Sequence, residues 1–258
     1  MYDAFCGEFA SGNPCGVVLL NDWLCDSELL DITREIAQPV TSFVVVDGNA
    51  YRIRWFSPTG EINLCGHGSL GAGAEILNCY RLNEVLFQSD HGNVTISRQN
   101  GLFSIRLPSW RAKPYRSEIS LNDVFGPSSL DVFTTRDMVV VLDSEAAVIN
   151  FEPDFARLKL IERYHALIVT AQSSESEYVL RYFAPKIGIP EDLATGSAHC
   201  SLAPYWFHQL GRNALSARQL SSGGGQFKVE KESEDSIVIC VCQKTLAHRV
   251  RMLWSLSV

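Results

Sequence analysis

The apolar positions of this chain come in short runs closed by turn residues, which predicts many strands and few helices. Cys15–Leu20 reads as a strand after the Gly12-Asn13-Pro14 turn. From Asp26 to Ile36 the apolar residues fall at helical spacing, and the pattern stops near Pro39. Ser42–Val46 and Tyr51–Phe56 pair around Asp47-Gly48-Asn49. Val85–Phe87, Val94–Ser97 and Phe103–Leu107 continue as strands, the last two joined by a turn at Asn100-Gly101. Pro108 to Pro114 reads as a crossing. Beyond it, Met138–Leu142, Ala166–Thr170 and Val179–Phe183 are apolar strands, and Phe227–Glu230 with Ser236–Val241 form a late hairpin.

Two helices of small residues interrupt this pattern. The stretch from Gly66 to Leu77 carries Gly68, Gly71, Ala72, Gly73 and Ala74. Each glycine costs a helix about 1 kcal/mol relative to alanine, so such a helix persists only where close packing offsets the loss. The second runs from Ser197 to Phe207. Each follows the same kind of block: Arg54-Trp55-Phe56-Ser57-Pro58 leads to Leu64-Cys65-Gly66-His67-Gly68-Ser69, and Arg181-Tyr182-Phe183-Ala184-Pro185 leads to the run from Glu191 to His199. The repeated order predicts an α+β fold of two similar lobes, residues 1–112 and 113–258. Each is a curved, mostly antiparallel sheet or barrel around a central helix, with the last strand able to cross back to the first lobe.

Composition narrows the function. A net charge of −7 argues against a nucleic-acid binder, which needs clustered Lys and Arg. No apolar run reaches the roughly 18 residues of a membrane span, and no secretory leader is expected, so a cytoplasmic protein is anticipated. The eight cysteines lack Cys-x-x-Cys spacing and read as free thiols, mostly in the core. Cys240 and Cys242 alternate on one strand, and their shared face is read as core. Neither a dinucleotide fingerprint in strand–helix context nor zinc-ligand spacing is present, so no metal, flavin or nicotinamide is expected.

The chemistry collects at the two helix starts. A helix N-terminus offers unpaired N–H groups and a positive dipole end. Two such ends would be supplied by Gly66 to Gly68 and by Gly196 to Ala198, and glycine there lets a small carboxylate approach the backbone. The alternative is plain capping by Ser69, Thr195 or Ser197. His67 is suited to proton transfer near neutral pH, or to bonding its own loop. Asp192 could accept a proton or orient His67; it could equally be a turn aspartate. Cys65 could be a thiolate at a helix start, or buried and inert. His91 and His199 read as exposed or structural.

Asp3-Ala4-Phe5, Gly12-Asn13-Pro14, Arg54 to Pro58, Cys65-Gly66-His67 and the run from Arg181 to His199 span nearly the whole chain in one order. In these motifs the chain resembles the PhzF family of phenazine-biosynthesis isomerases, of the diaminopimelate-epimerase-like fold. That resemblance implies two lobes with a cleft between them, cofactor-independent proton shuttling, and a homodimer. Carried over by motif, His67, Asp192 and Ser197 match catalytic positions. Asn13, Val40, Cys65 and the pair Gly224-Gly225 join the four helix-start residues as substrate-binding candidates.

The chain also departs from the family. Where the family usually has Ser-Glu-Thr-Ala-Phe, with that Glu as main acid–base group, this chain has Pro39-Val40-Thr41-Ser42-Phe43. Val40 cannot carry a proton. Gly223 replaces a basic residue, and His91 stands where a small hydroxyl residue is common. Glu35, five residues from Val40 and on the outer helix face, is a poor substitute. Three readings follow. One is an isomerase or epimerase of a small carboxylate-bearing metabolite with a rearranged acid–base set. Another is a relative catalysing a different step, such as cyclisation or elimination. The third is an inactive relative that binds a ligand.

Overall fold

The structure, a computed structural model, describes residues 1–8, 10–99, 101–115, 129–160 and 164–245. Strands β1 (Tyr2–Cys6), β2 (Asn13–Leu20), β3 (Val40–Asp47), β4 (Ala50–Ser57), β6 (Glu84–Ser89), β7 (Gly92–Gln99), β8 (Leu102–Pro108) and β16 (Ser236–Thr245) lie side by side in that order. Pairing of β16 with β1, from Tyr2 opposite Thr245 to Cys6 opposite Cys242, closes them into an eight-stranded barrel. The short β5 (Gly60–Ile62) pairs with β4 outside this ring. Helix α1 (Asp26–Ile36) covers the outside of the barrel, packing Leu29 against Phe43 and Phe56. β3 thus lies between two apolar surfaces, which explains why residues 40–45 are all buried. Of the Asn100-Gly101 turn, Asn100 lies outside the described residues.

Helix α2 (Gly66–Cys79) fills the barrel and is buried from His67 to Leu77 except at Glu75. Its glycines are required by contact. A Cβ on Gly71 would lie 2.4 Å from Cys15 Sγ, and one on Gly73 2.4 Å from Ile96 Cγ2. The low helix propensity is therefore offset by barrel walls that could not otherwise close.

From β16 the sheet continues through β15 (Gly225–Lys231), β14 (Ala214–Gln219), β13 (Glu177–Phe183), β12 (Leu167–Ser174), β11 (Met138–Leu142), β10 (Ser129–Thr134) and β9 (Lys113–Pro114). This sheet packs α5 (His199–Leu210), whose Trp206 lies in the core with Tyr178 and Phe227. The short helices α3 (Glu145–Ile149) and α4 (Phe155–Leu160) complete the chain order; Val148 of α3 packs against Val140, Val169 and Val179. The β16 strand pairs with β8 and β15 through Ile237–Cys240 and with β1 through Cys242–Thr245.

Two sequence expectations need correction. Cys240 and Cys242 do not face the core: Cys242 is exposed and Cys240 half-buried. Ile237, Ile239 and Val241 occupy the other face of β16, bury more apolar surface, and so claim the interior. The cysteines as a group are also less interior than expected. Cys6, Cys15, Cys65 and Cys200 are buried, but Cys25 and Cys79 are exposed with Cys242.

Candidate active site

The two glycine-bounded helix starts meet. A Cβ built on Gly66 would sit 3.8 Å from Gly196 Cα and 4.0 Å from Ser197 N, which leaves the width of a methyl group on that line. The second start is one 3₁₀ turn, Gly196–Ala198, running into α5. Phe5 sets this approach. Its backbone is left-handed at φ 64°, beside a register shift in the β1–β16 pairing. A positive φ is uncommon for an aromatic residue and is held only by its surroundings. Here the ring is fully buried, against the Phe227 ring at 4.7 Å, and a Cβ on Gly196 would come within 2.7 Å of its Cζ.

At the first start, Cys65 is the N-cap. Its Sγ accepts from Gly68 N at 3.3 Å, while Ser69 Oγ donates back to Cys65 O at 2.6 Å. Cys65 Sγ also lies 3.4 Å from His67 Nδ1. Burial pushes the Cys65 thiol well up, and the nearby Asp192 charge adds to this, so Cys65 is a thiol and not a reactive thiolate. Burial pushes His67 down to about 4, so its imidazole is neutral at pH 7. Cys15 Sγ donates to the His67 carbonyl oxygen at 3.5 Å. Val40 opens β3 directly opposite Cys15 and is buried in the same core as Cys65.

At the second start, Asp192 is the hub. Asn13 Nδ2 donates to its Oδ1 at 2.8 Å, and Thr195 Oγ1 donates to its Oδ2 at 2.5 Å. Its own N–H donates to Tyr182 O at 3.0 Å. Burial raises the Asp192 pKa, while the bonds from Thr195, Asn13 and the Leu193 N–H pull it down; burial wins. The result is a carboxylate more basic than an ordinary aspartate. Thr195 stands at the N-cap position of this turn but makes no side-chain cap bond; its hydroxyl donates to Asp192 instead.

Asn13 also donates to Ala194 O at 2.9 Å, so both its N–H groups meet acceptors and the amide orientation is fixed. Its Oδ1 is buried with no hydrogen-bond partner among the described residues. Gly224 O accepts from Gly12 N at 3.3 Å, which ties the late glycine pair to the Asn13 turn. Gly225 and Gly68 serve packing: added Cβ atoms would lie 2.8 Å from Ala194 Cβ and 2.7 Å from Ser42 Oγ. Ala198 is fully buried. His199 is also buried and bonded through Nδ1 to Tyr178 OH at 2.6 Å, a core histidine, and His91 is exposed.

Three contributors escaped the motif reading. Gln219, at the end of β14, accepts from Thr195 N at 2.7 Å and donates to Asp192 O at 2.7 Å. Ser221 Oγ donates to Leu193 O. Arg136 Nη2 donates to Ser197 Oγ at 3.3 Å. None lies within a glycine-bounded block, so no local signal marks them. Among the described residues no three His, Cys, Asp or Glu side chains converge on a point that could hold a metal ion. A cavity of about 140 Å³ lies between Trp23, Arg54, Glu61 and His91, and no candidate residue lines it.

The profile of phenazine biosynthesis-like proteins, PhzC-PhzF, matches residues 2–238. The chain belongs to this family. An "uncharacterized isomerase" of Vibrio cholerae is 60% identical over 240 residues, covering 93% of this chain and 85% of that one. The crystal structure of a PhzF-family protein from Enterococcus faecalis superposes with TM-score 0.87 at 32% identity, covering 95% of each chain. A "predicted epimerase" from Pseudomonas aeruginosa, at 21% identity and TM-score 0.68 over 95% of each chain, shares the fold. The fold of this PhzC-PhzF protein is thus the diaminopimelate-epimerase-like α+β fold. No described helix is long and apolar enough to cross a membrane.

Proposed function

We propose that this protein is a cofactor-independent isomerase that moves a proton on a small carboxylate-bearing metabolite in the gap between the two helix starts. The observation that carries the reading is the meeting of Gly66 with Gly196, beside a neutral buried His67 and a half-buried, basic Asp192. The substrate carboxylate faces the N–H groups of the two starts. Asp192 removes the proton and, as the carboxylic acid, returns it; His67, neutral at working pH, can relay it by accepting at one ring nitrogen while donating from the other. Asn13 Oδ1 accepts from a substrate hydroxyl or amine, since a buried acceptor without a donor costs about 1–3 kcal/mol. A gap one methyl wide requires the two starts to part for entry and close on the substrate. Membership of a family whose relatives carry the name isomerase supports this class of reaction. In the cell we read it as a cytoplasmic homodimer.

Val40 favours a second reading. A buried apolar residue where the resembling family carries its Glu suits a relative that binds such an acid without moving its proton, or one that catalyses cyclisation or elimination. Incubation in D₂O with a small unsaturated acid such as dihydro-hydroxyanthranilate and a panel of small hydroxy and amino acids separates them. Deuterium incorporation by wild type, lost in Asp192→Asn and in His67→Ala, is the expected result. Tight binding with no exchange by any acid transfers the case to the binding reading.

A further inference from the structure

The Arg136 guanidinium reaches the second helix start, and the proton transfer described above makes no use of it. Arg136 stands in the tight turn between β10 and β11. Thr135 N donates to Asp137 O at 2.8 Å, and a 2.6 Å bond between Thr135 Oγ1 and Ser201 Oγ docks this turn on the first turn of α5. Arg136 Nε and Nη2 meet the two Asp137 oxygens at 3.3 and 3.1 Å, a two-point contact that fixes the guanidinium plane. The Trp110 ring covers its face, with the centroid 4.8 Å away. Asp137 is wholly buried while the Arg136 side chain is 36% exposed.

Such a pair is weak support for stability, because removing the carboxylate from water costs much of what the attraction returns. It does hold a cation in one place. From there Nη2 lies 3.3 Å from Ser197 Oγ, and Ser197 N in turn is one of the atoms nearest Gly66 across the gap. An oxygen that accepts from a guanidinium keeps one hydrogen to donate, and that hydrogen must turn away from the cation.

We propose that Arg136 is a positioning residue for Ser197. Fixed by Asp137 and Trp110, it turns the Ser197 hydroxyl to donate into the gap between the helix starts, where that hydroxyl receives a substrate carboxylate. This rests on reading the gap as the substrate site. It assigns anion selection to a residue outside both glycine-bounded blocks.

Sodium acetate titrations followed by the backbone amide signals of Gly66, Gly68, Gly196 and Ala198 test it. Arg136→Met alone strands a buried Asp137 charge and invites misfolding, so the main variant is Arg136→Met with Asp137→Asn. Acetate dissociation should weaken by about tenfold or more in this variant and in Ser197→Ala, the scale of one charge-assisted hydrogen bond. The triple variant should be no weaker than Ser197→Ala, because Arg136 acts through that hydroxyl. Arg136→Lys, which keeps charge but loses the planar two-point contact, should fall between. Wild-type affinity in the paired variant, or losses that multiply independently in the triple variant, overturn the role of Arg136 alone. Amides that acetate leaves unmoved in the wild type remove the substrate-site reading and this proposal together.

Discussion

Asn13 and Asp192, 179 residues apart, are joined by a 2.8 Å hydrogen bond from Nδ2 to Oδ1. The bond ties the first turn of the barrel to the start of the second central helix. It also sets how basic the carboxylate is. Asn13→Leu removes a donor that favours the ionised form, so the Asp192 pKa should rise further. A hydrogen bond to a charged group contributes about 1.5–3 kcal/mol, which corresponds to roughly one to two pH units. Titration of ¹³C-labelled aspartate carboxyls should show the shift, and an unchanged Asp192 signal would remove Asn13 from the electrostatics of the site.

The same raised pKa has a stability consequence. Asp192 binds its proton more tightly folded than unfolded, so its contribution is fully present below the unfolded value, about 4, and is lost as pH rises through the folded value. Depressed histidines act in the opposite sense. His67, at about 4, and His199, at about 3, contribute stability that is present above the unfolded value of roughly 6.5 and lost as pH falls through the folded ones. Tm measured from pH 7 to pH 4 should fall less steeply in His67→Gln than in wild type. Asp192→Asn should retain more of its stability than wild type as pH rises from 4. Parallel curves for all three proteins would contradict the burial that shifts both groups.

Close packing at Gly196 supplies a mechanical test. A Cβ there would meet Phe5 Cζ at 2.7 Å, so Gly196→Ala should cost about 1–3 kcal/mol through overpacking, read by urea denaturation. Trimming the ring should relieve it: Gly196→Ala with Phe5→Leu should be more stable than the sum of the single changes predicts. Strict additivity would mean that Phe5 does not set the approach of the two helix starts.

The thiols should separate by environment. Iodoacetamide at pH 7.5 should modify the exposed Cys25 and Cys242 first, with Cys79, pushed up to about 11 chiefly by burial and the Glu75 hydrogen bond, slower. Cys65 should remain unmodified in the folded protein. Its replacement by Ala removes the sulfur that accepts from Gly68 N and should cost about 0.5–2 kcal/mol of stability. Turnover should fall less than in Asp192→Asn. Rapid alkylation of Cys65, found by peptide mass mapping, would show a thiolate where burial requires a thiol.

The aromatic strand, proline, turn and glycine-rich helix were legible along the chain because each carries its own local signal. The strand Ala214–Gln219 was not, since its mixed sequence alternates too weakly to announce a strand. Its last residue, Gln219, reaches Thr195 and Asp192 only because β14 pairs with β13 and β15. Arg136 was hidden for the same reason: it meets Ser197 through the docking of a turn, a relationship with no fixed spacing in sequence. The facing of β16 was misread because Cys and Ile both count as apolar, and the choice between faces was made by the larger side chains.

Val40 offers the sharpest test of mechanism. It opens β3 opposite Cys15, whose thiol donates to the His67 carbonyl oxygen, and it is 5% exposed. Val40→Glu places a carboxyl in this dry environment, where burial raises its pKa toward the neutral range suited to a general base. Burial of the new polar group should cost about 1–3 kcal/mol of stability, and Val40→Gln should cost a similar amount without supplying an acid. Gain of a positioned base is expected to speed deuterium incorporation into a small unsaturated acid such as dihydro-hydroxyanthranilate by about 10²–10⁴-fold in Val40→Glu over Val40→Gln. Because the two variants share the packing penalty, their ratio isolates proton transfer. Equal exchange in both would show that position 40 does not reach a reacting carbon, and the work would then fall to Asp192 and His67.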